Sequence, residues 1–276
     1  IFGTDPDCDR LGVAVREKDG GFRLLTGNQI GCLMLYYILS GKKSQGTLPV
    51  SGAVVKSIVS TELARAVCDD FGVALFDTLT GFKFIGEKIQ QFEDTGDYTF
   101  LFGFEESYGY LSGSFVRDKD GVNASLLIAE AAAYYRTQGK TLCDVMTEIF
   151  KKYGYYLEHV ESTTLPGIDG LKVMADIMAR IRKNPPREIG GVRVARVLDF
   201  IAGTDTALAS GKVEKMDYPE SDVLYFAMEG GHFVCVRPSG TEPKIKLYVN
   251  VNDKDEDKAN ELLKRLTGAA QELLKD

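Results

Sequence analysis

Between Thr47 and Gly154 short apolar runs alternate with amphipathic stretches, and this order constrains the fold more than any other feature of the chain. "LPVSGAVV", "VALFDTL" and "YTFLFGFEE" have the length and the β-branched and aromatic content of strands. Between them lie "STELARAVCDDFG" and "TGFKFIGEKIQQFE", whose apolar residues recur at helical spacing. The first of these has a Ser or Thr to cap it and a Gly to stop it. Two further helices, "NASLLIAEAAAYYRTQG" and "TLCDVMTEIFKKYG", follow. An order of this kind predicts an α/β sheet with helices packed on it.

The flanking segments are different. "RLGVAVRE" and "FRLL" read as strands joined by a "KDGG" turn. "NQIGCLMLYYILS" reads as a helix ending near Gly41, and "GKKSQGT" as a linker. "TTLPGID" is a second hinge candidate; beyond it "GLKVMADIMARIRKN" is a helix stopped by Pro185-Pro186. Four strands follow, "VRVARVLDF", "DVLYFAME", "HFVCVR" and "KIKLYVNV". A last helix, about Lys258–Lys275, puts Leu262, Leu263, Leu266, Leu273 and Leu274 on one face. The fold predicted is therefore α/β: a mixed α/β sheet domain over 46–166, then a C-terminal α+β domain with an antiparallel sheet over 167–276. A remnant of another α/β domain, 1–45, precedes them.

A net charge of −7 argues against a nucleic-acid surface, which needs a basic stripe. No apolar run reaches the roughly 18 residues of a membrane span. The five cysteines (Cys8, Cys32, Cys68, Cys143, Cys235) are odd in number and far apart. They read as reduced packing residues of a cytoplasmic protein rather than a disulfide frame or zinc site.

Three stretches carry chemistry. "DPDCDR" sets Asp5, Asp7 and Asp9 two residues apart. An EF-hand loop would need Gly at its sixth position and Glu at its twelfth, where Arg10 and Arg16 stand. What remains is a loop of carboxylates suited to Mg²⁺, with Arg10 in reach of a phosphate, or else a solvated acidic turn. "GFEESYGY" follows an apolar strand, where α/β sheets place ligand residues. Its two glutamates and Ser107 suit vicinal hydroxyls of a sugar, though a helix cap explains them equally. "RPSGTEPKIKLYV" gathers Arg237, Ser239, Gly240 and Thr241 between two strands, and Lys244 and Lys246 share a face beyond them. It reads as a phosphate loop or a charged hairpin tip. "TGFKFI" (Thr80, Gly81, Lys83) and "RDKDG" (Lys119) are weaker candidates; a helix cap and a solvated turn account for them as well.

Taken together and in order, "DPDCDR", "TGFKF", "GFEESYGY" and "RPSGTEPK" resemble the loops of the α-D-phosphohexomutases, the phosphoglucomutase/phosphomannomutase superfamily. The likeness is greatest to the phosphoglucomutase and phosphopentomutase branch. It covers the end of the second domain, the third and the fourth of a four-domain enzyme. It implies Mg²⁺ on Asp5, Asp7 and Asp9 with Arg10 nearby, and sugar hydroxyls on Glu105 and Ser107. It implies that Arg237, Ser239, Gly240, Thr241 and Lys244 hold the phosphate that is not transferred, with Thr80, Gly81 and Lys119 as lesser substrate contacts. The implied reaction moves a phosphoryl group between C1 and C6 of a hexose phosphate, or C1 and C5 of a pentose phosphate. It passes through a phosphoserine and a bisphosphorylated sugar, as from glucose 1-phosphate by way of glucose 1,6-bisphosphate.

The resemblance departs at one point. A serine loop of the form Thr-Ala-Ser-His-Asn-Pro is absent, and neither His159 nor His232 follows a serine in such a string. The chain thus reads as the C-terminal part of a mutase, without a catalytic residue of its own and inactive without its N-terminal domains. Its opening loop is expected to be poorly formed, for want of strands before Ile1. A stand-alone sugar-phosphate binding protein is the alternative; a Mg²⁺-dependent phosphatase with Asp5 as nucleophile leaves the other loops unexplained.

Overall fold

The computed structural model of the chain describes residues 1–17, 20–165, 169–239 and 242–275. It divides into two compact units, Ile1–Tyr153 and Gly154–Asp276.

The first unit opens with a three-stranded antiparallel sheet, β1 (Phe2–Thr4), β2 (Leu11–Arg16) and β3 (Phe22–Leu24). β1 is registered on β2, with Thr4 opposite Leu11, so the intervening Asp5–Arg10 loop is closed at its base. This corrects the expected fraying: β2 itself supplies the partner for β1. Helix α1 (Gly27–Ser44) follows, started by a reciprocal capping box between Thr26 and Gln29. It runs through Gly41 to Ser44, so most of the predicted linker is helix. Gly41 meets no steric demand there, and Lys42 and Lys43 sit favourably in the last turn.

The remaining strands, β4 (Gly52–Ser57), β5 (Ala74–Thr78), β6 (Thr99–Glu105) and β7 (Gly109–Ser112), form a mixed sheet in the order β5-β4-β6-β7. β4 is parallel to both neighbours, and β7 returns antiparallel to β6. Helix α2 (Leu63–Phe71) links β4 to β5 and ends at Gly72, whose φ of 68° gives the left-handed stop. Helix α3 (Phe82–Thr95) links β5 to β6 and packs Phe82, Ile85, Ile89 and Phe92 against Ala53 and Val55. The opposite face receives α1, where Gly31 lies so close to Phe104 that a Cβ would come within 2.5 Å of its ring. Helices α4 (Gly121–Thr137) and α5 (Leu142–Tyr153) join α1 and α2 on that side. Every residue of β4 is buried, as a central parallel strand covered on both faces requires.

The chain leaves β4 toward β5, then crosses back to β6 on the other side of β4. A reversal of this kind leaves a crevice at the carboxyl ends of the two diverging strands. Ser57 ends β4 and Glu105 ends β6, so the loops after both open into it.

The second unit is built on an eight-stranded antiparallel sheet. Its elements are β8 (Tyr155–Thr164), α6 (Gly170–Lys183), β9 (Glu188–Ile189), β10 (Val192–Asp199), β11 (Thr204–Ala207) and β12 (Val213–Lys215). They continue with β13 (Leu224–Met228), β14 (Phe233–Pro238), β15 (Lys244–Asp253) and α7 (Glu256–Glu272). The order is β12-β11-β10-β13-β14-β15-β8, with β9 on β10. Met174, Ile177, Met178 and Ile181 of α6 and Leu266 and Ala270 of α7 bury one face, against Val234, Val236, Ile245, Leu247 and Val249. Both helices lie on that one face, as the sequence predicts. β8 is the chief difference from the sequence reading: it pairs along its whole length with β15. Pro166, Gly167 and Ile168 of the predicted hinge lie outside the described residues.

Candidate functional site

The first unit brings five loops together. After β1, the chain turns through Cys8, whose φ is 59°, with the Cys8 N–H donating to the Asp5 carbonyl at 2.9 Å. The backbone N–H of Arg10 donates to Asp5 Oδ1 at 3.1 Å, and Arg10 Nη1 lies 3.2 Å from Asp5 Oδ2. That backbone donor holds the Asp5 carboxyl below its usual range; burial opposes it, and the backbone N–H of Asp5 itself and the Arg10 guanidinium add to the lowering. Asp5, Asp7 and Asp9 each offer an oxygen, and these oxygens lie within 4.8 Å of one another. Asp9 is paired through Oδ2 with Lys119 at 2.7 Å. Its Oδ1 is buried without a hydrogen-bond partner, a costly arrangement that a bound cation would relieve. An oxygen-only set with one uncommitted, desolvated oxygen fits a hard divalent cation. Burial opposes the charge of Lys119, but its hydrogen bonds to Asp9 and Asp118 outweigh that and raise its pKa.

This acidic loop rests on the "GFEESYGY" segment. Leu11 N–H donates to the Tyr108 carbonyl at 3.0 Å, and Arg10 forms a lone β-bridge with Gly109. Tyr108, like Cys8, has a positive φ (69°) without being glycine. Such geometry costs on the order of 1–3 kcal/mol and persists where surrounding contacts over-determine it. Gly121 N–H donates to the Cys8 carbonyl at 3.1 Å, and a Cβ at Gly121 would stand 2.6 Å from that oxygen. Glycine at the start of α4 therefore lets the acidic loop close down on it.

Glu105, at the end of β6, accepts from the Gly81 N–H at 2.6 Å. Gly81 has φ 124°, a conformation open only to glycine at small cost. The predicted "TGFKF" turn and the "GFEESYGY" loop thus meet through one hydrogen bond, with Thr80 beside it. Lys83 instead lies over the ring of Phe84, 4.7 Å from its centroid. Ser107 is half-buried between the anchored residues. Three residues that the sequence reading gave no separate role also belong here. Glu106 accepts through Oε2 from Ser57 Oγ at 3.1 Å, and its N–H donates to Ser60 Oγ at 3.1 Å. The signal for Ser57 and Ser60 was present in "KSIVST", two hydroxyls at and just past the end of a central strand.

In the second unit, Arg237, next to the last residue of β14, lies directly opposite Lys246 of β15, both half-buried and on the face away from α6 and α7. Ser239 N–H donates to the Lys244 carbonyl at 2.7 Å, closing the turn between the strands. Lys244 turns to Glu242 at 3.0 Å. Gly240 and Thr241 lie outside the described residues. All five cysteines are free; four are buried, but Cys8 is exposed in the acidic loop and is not the packing residue predicted.

Comparison with known sequences agrees with this arrangement. The profile of phosphoglucomutase/phosphomannomutase, alpha/beta/alpha domain III, matches residues 26–153, and that of the C-terminal domain of the same family matches residues 178–268. The chain belongs to the phosphoglucomutase/phosphomannomutase family. A phosphoglucomutase of Staphylococcus aureus (strain MRSA252) is 40% identical over 257 residues, covering 93% of this chain and 45% of that protein. Family members share the fold at lower identity. The open form of parafusin, a phosphoglucomutase from Paramecium, superposes with a TM-score of 0.70 at 19% identity, over 99% of this chain and 45% of its own. A phosphomannomutase-like protein of Thermus thermophilus gives 0.62 at 22%, over 100% of this chain and 46% of its own. The chain thus spans about half the length of the family members it matches. Among the described residues no helix is long and apolar enough to cross a membrane.

Proposed function

We propose that the chain is the sugar-, metal- and phosphate-binding part of a phosphosugar mutase acting on a hexose phosphate, with glucose 1-phosphate as substrate. The observation that carries this reading is the convergence at the carboxyl end of the parallel sheet. There the Leu11–Tyr108 contact ties the hydroxyl-binding loop to the acidic loop, the Gly81–Glu105 hydrogen bond ties it to the Thr80–Gly81 turn, and the Asp9–Lys119 pair ties the acidic loop to the Lys119 turn. Glu105, oriented by Gly81, and Ser107 take sugar hydroxyls; a carboxylate accepts and a hydroxyl both accepts and donates. Arg237 and Lys246 hold the phosphate that stays in place. Asp5, Asp7 and Asp9 hold Mg²⁺, which when bound neutralises charge on a transferring phosphoryl group. Lys119 keeps Asp9 oriented and adds a second positive charge beside the site. The serine that carries the phosphoryl group belongs to sequence outside these 276 residues, and the N-terminal domains of the same protein are the partner this reading requires. A cytoplasmic setting fits five free thiols.

Calorimetric titration of the chain with glucose 1-phosphate in Mg²⁺ tests the proposal. We expect saturable binding tighter than that of inorganic phosphate, and no conversion to glucose 6-phosphate when glucose 1,6-bisphosphate is added. Binding no tighter than inorganic phosphate overturns the sugar-site assignment; turnover by the chain alone overturns the need for an external serine.

A further inference from the structure

Ser57, Ser60 and Glu106 form a closed ring. The two hydroxyl oxygens are 2.8 Å apart, Ser57 Oγ is 3.1 Å from Glu106 Oε2, and the Glu106 N–H is 3.1 Å from Ser60 Oγ. A serine hydroxyl carries one proton. Ser60 Oγ accepts from the Glu106 N–H, so its own proton is free to go to Ser57, whose proton goes to the Glu106 carboxylate. Ser60 Oγ is 3.5 Å from that carboxylate, a poorer use of its proton. In this arrangement every donor is used once, and the chain of bonds begins and ends on the same residue. Bonds in such a series polarise one another.

The serines are themselves held from below. Ser57 and Ser60 are fully buried, and Lys56, also fully buried, reaches the carbonyls of both at 3.3 and 3.2 Å. Lys56 Nζ is paired with Glu62 at 2.9 Å and Asp77 at 2.8 Å. The Ser57–Ser60 turn is thus fixed by an ion cluster, and Glu106 is fixed by the turn. On the other side, a Cβ on Gly27 would lie 2.0 Å from the Glu106 carbonyl oxygen, so the loop sits directly on the first turn of α1.

We propose that Glu106 is a positioning residue for the hydroxyl-binding loop and not itself a sugar ligand. Oε2 of its carboxylate is engaged by the serine ring, and its neighbours Glu105 and Ser107 are aimed by that clamp. The proposal rests on the function given above for that loop, and it makes the site's sugar affinity depend on two serines that touch no ligand.

The test uses the whole chain with three variants, E106A, E106Q and the double variant S57A/S60A. Two readouts are taken: hydrogen exchange of residues 105–110, and affinity for glucose 1-phosphate against inorganic phosphate. E106A and S57A/S60A should each speed exchange across 105–110 and weaken glucose 1-phosphate about tenfold, as losing a hydrogen bond to a charged group does, with phosphate affinity unchanged. E106Q keeps an acceptor for Ser57 and should recover most of both. The combination of E106A with S57A/S60A should be no worse than either, because both remove one ring. Three results overturn the clamp: unchanged exchange in E106A and S57A/S60A, additive effects, or loss of sugar binding in E106Q and E106A alike with S57A/S60A normal. That last pattern makes Glu106 a direct ligand. If wild-type chain binds no glucose 1-phosphate, the functional reading fails, while the exchange data still decide the clamp.

Discussion

At the scale of single residues, Asp9 is the most informative. Its two oxygens live differently: Oδ2 is taken by Lys119 at 2.7 Å, and Oδ1 is buried with no partner. On the proposed reading Oδ1 is the Asp9 atom left to meet a cation, with Lys119 remaining on Oδ2. Asp9→Asn removes the charge the site can offer at that point and weakens the Lys119 pair together with it. We expect Mg²⁺ to raise the melting temperature of the wild-type chain and to leave that of Asp9→Asn unmoved, as read by thermal denaturation with and without the ion. An equal Mg²⁺ response in the variant removes Asp9 from the ligand set.

The clustering of the acidic loop was legible from spacing alone: three carboxylates two residues apart are expected to converge, and one oxygen of each lies within 4.8 Å of the others. The clamp was not legible: "KSIVST" shows two hydroxyls at the end of a strand, but their partner Glu106 lies 46 or more positions away in the chain. Only the reversal of strand order around β4 puts the ends of β4 and β6 side by side. The same holds for Gly81, whose use as a donor to Glu105 depends on a φ of 124° that sequence does not announce.

Among elements, β4 and its turn show how a parallel strand can carry charge into the core. Burial alone would drive Lys56 toward its neutral form, yet Asp77 and Glu62 outweigh it and raise its pKa. Asp77 is the reciprocal case: burial raises its pKa, but Lys56 and Arg65 outweigh that and lower it. The signs fix the pH window. A carboxyl with a depressed folded pKa contributes stability that is present above its unfolded value, about 3.9, and lost as pH falls through the folded value. A lysine with a raised folded pKa contributes stability that is present below its unfolded value, about 10.4, and lost as pH rises through the folded value. The cluster is therefore at full strength between those limits. Replacing Lys56 by Met leaves two acidic groups with only Arg65, and we expect a loss of about 3 kcal/mol at neutral pH in urea denaturation. Adding Asp77→Asn to that variant should return part of the loss and flatten the acid limb of the stability curve. No recovery shows that the cost lies in packing, not charge.

β8 marks the limit of reading elements from pattern. Its sequence, "YYLEHVESTT", is rich in aromatic and β-branched residues but also carries charge. It is the edge strand of its sheet, where charge on the outer side protects against pairing with other chains. An alternation test looks for one dry face, and this strand has none. The helices α2, α3, α6 and α7, by contrast, each bury a continuous stripe against a sheet, and their 3.6-residue period made them plain.

At the scale of the whole molecule, the proposed function assigns metal and sugar to the first unit and phosphate to the second, and the two assignments are separable by experiment. The second unit places Arg237 directly across from Lys246. Like charges facing each other across an antiparallel pair are unfavourable, by roughly 0.2–1 kcal/mol. An anion between them turns that cost into attraction, and the oxygen geometry of a phosphate suits the guanidinium fork. Inorganic phosphate should therefore stabilise the chain by mass action, by about 2.7 kcal/mol at a hundred times its dissociation constant. The variant Arg237→Ala should lose that increment and gain slightly in stability without phosphate, since one of the opposed charges is gone. Its response to Mg²⁺ should remain, because the acidic loop belongs to the first unit. Denaturation curves of wild type, Arg237→Ala and Asp9→Asn, each with phosphate and with Mg²⁺, make the comparison. Separate losses, phosphate in one variant and metal in the other, are the expected outcome. If Arg237→Ala keeps the full phosphate response, the anion is held elsewhere, and the opposed pair needs another explanation.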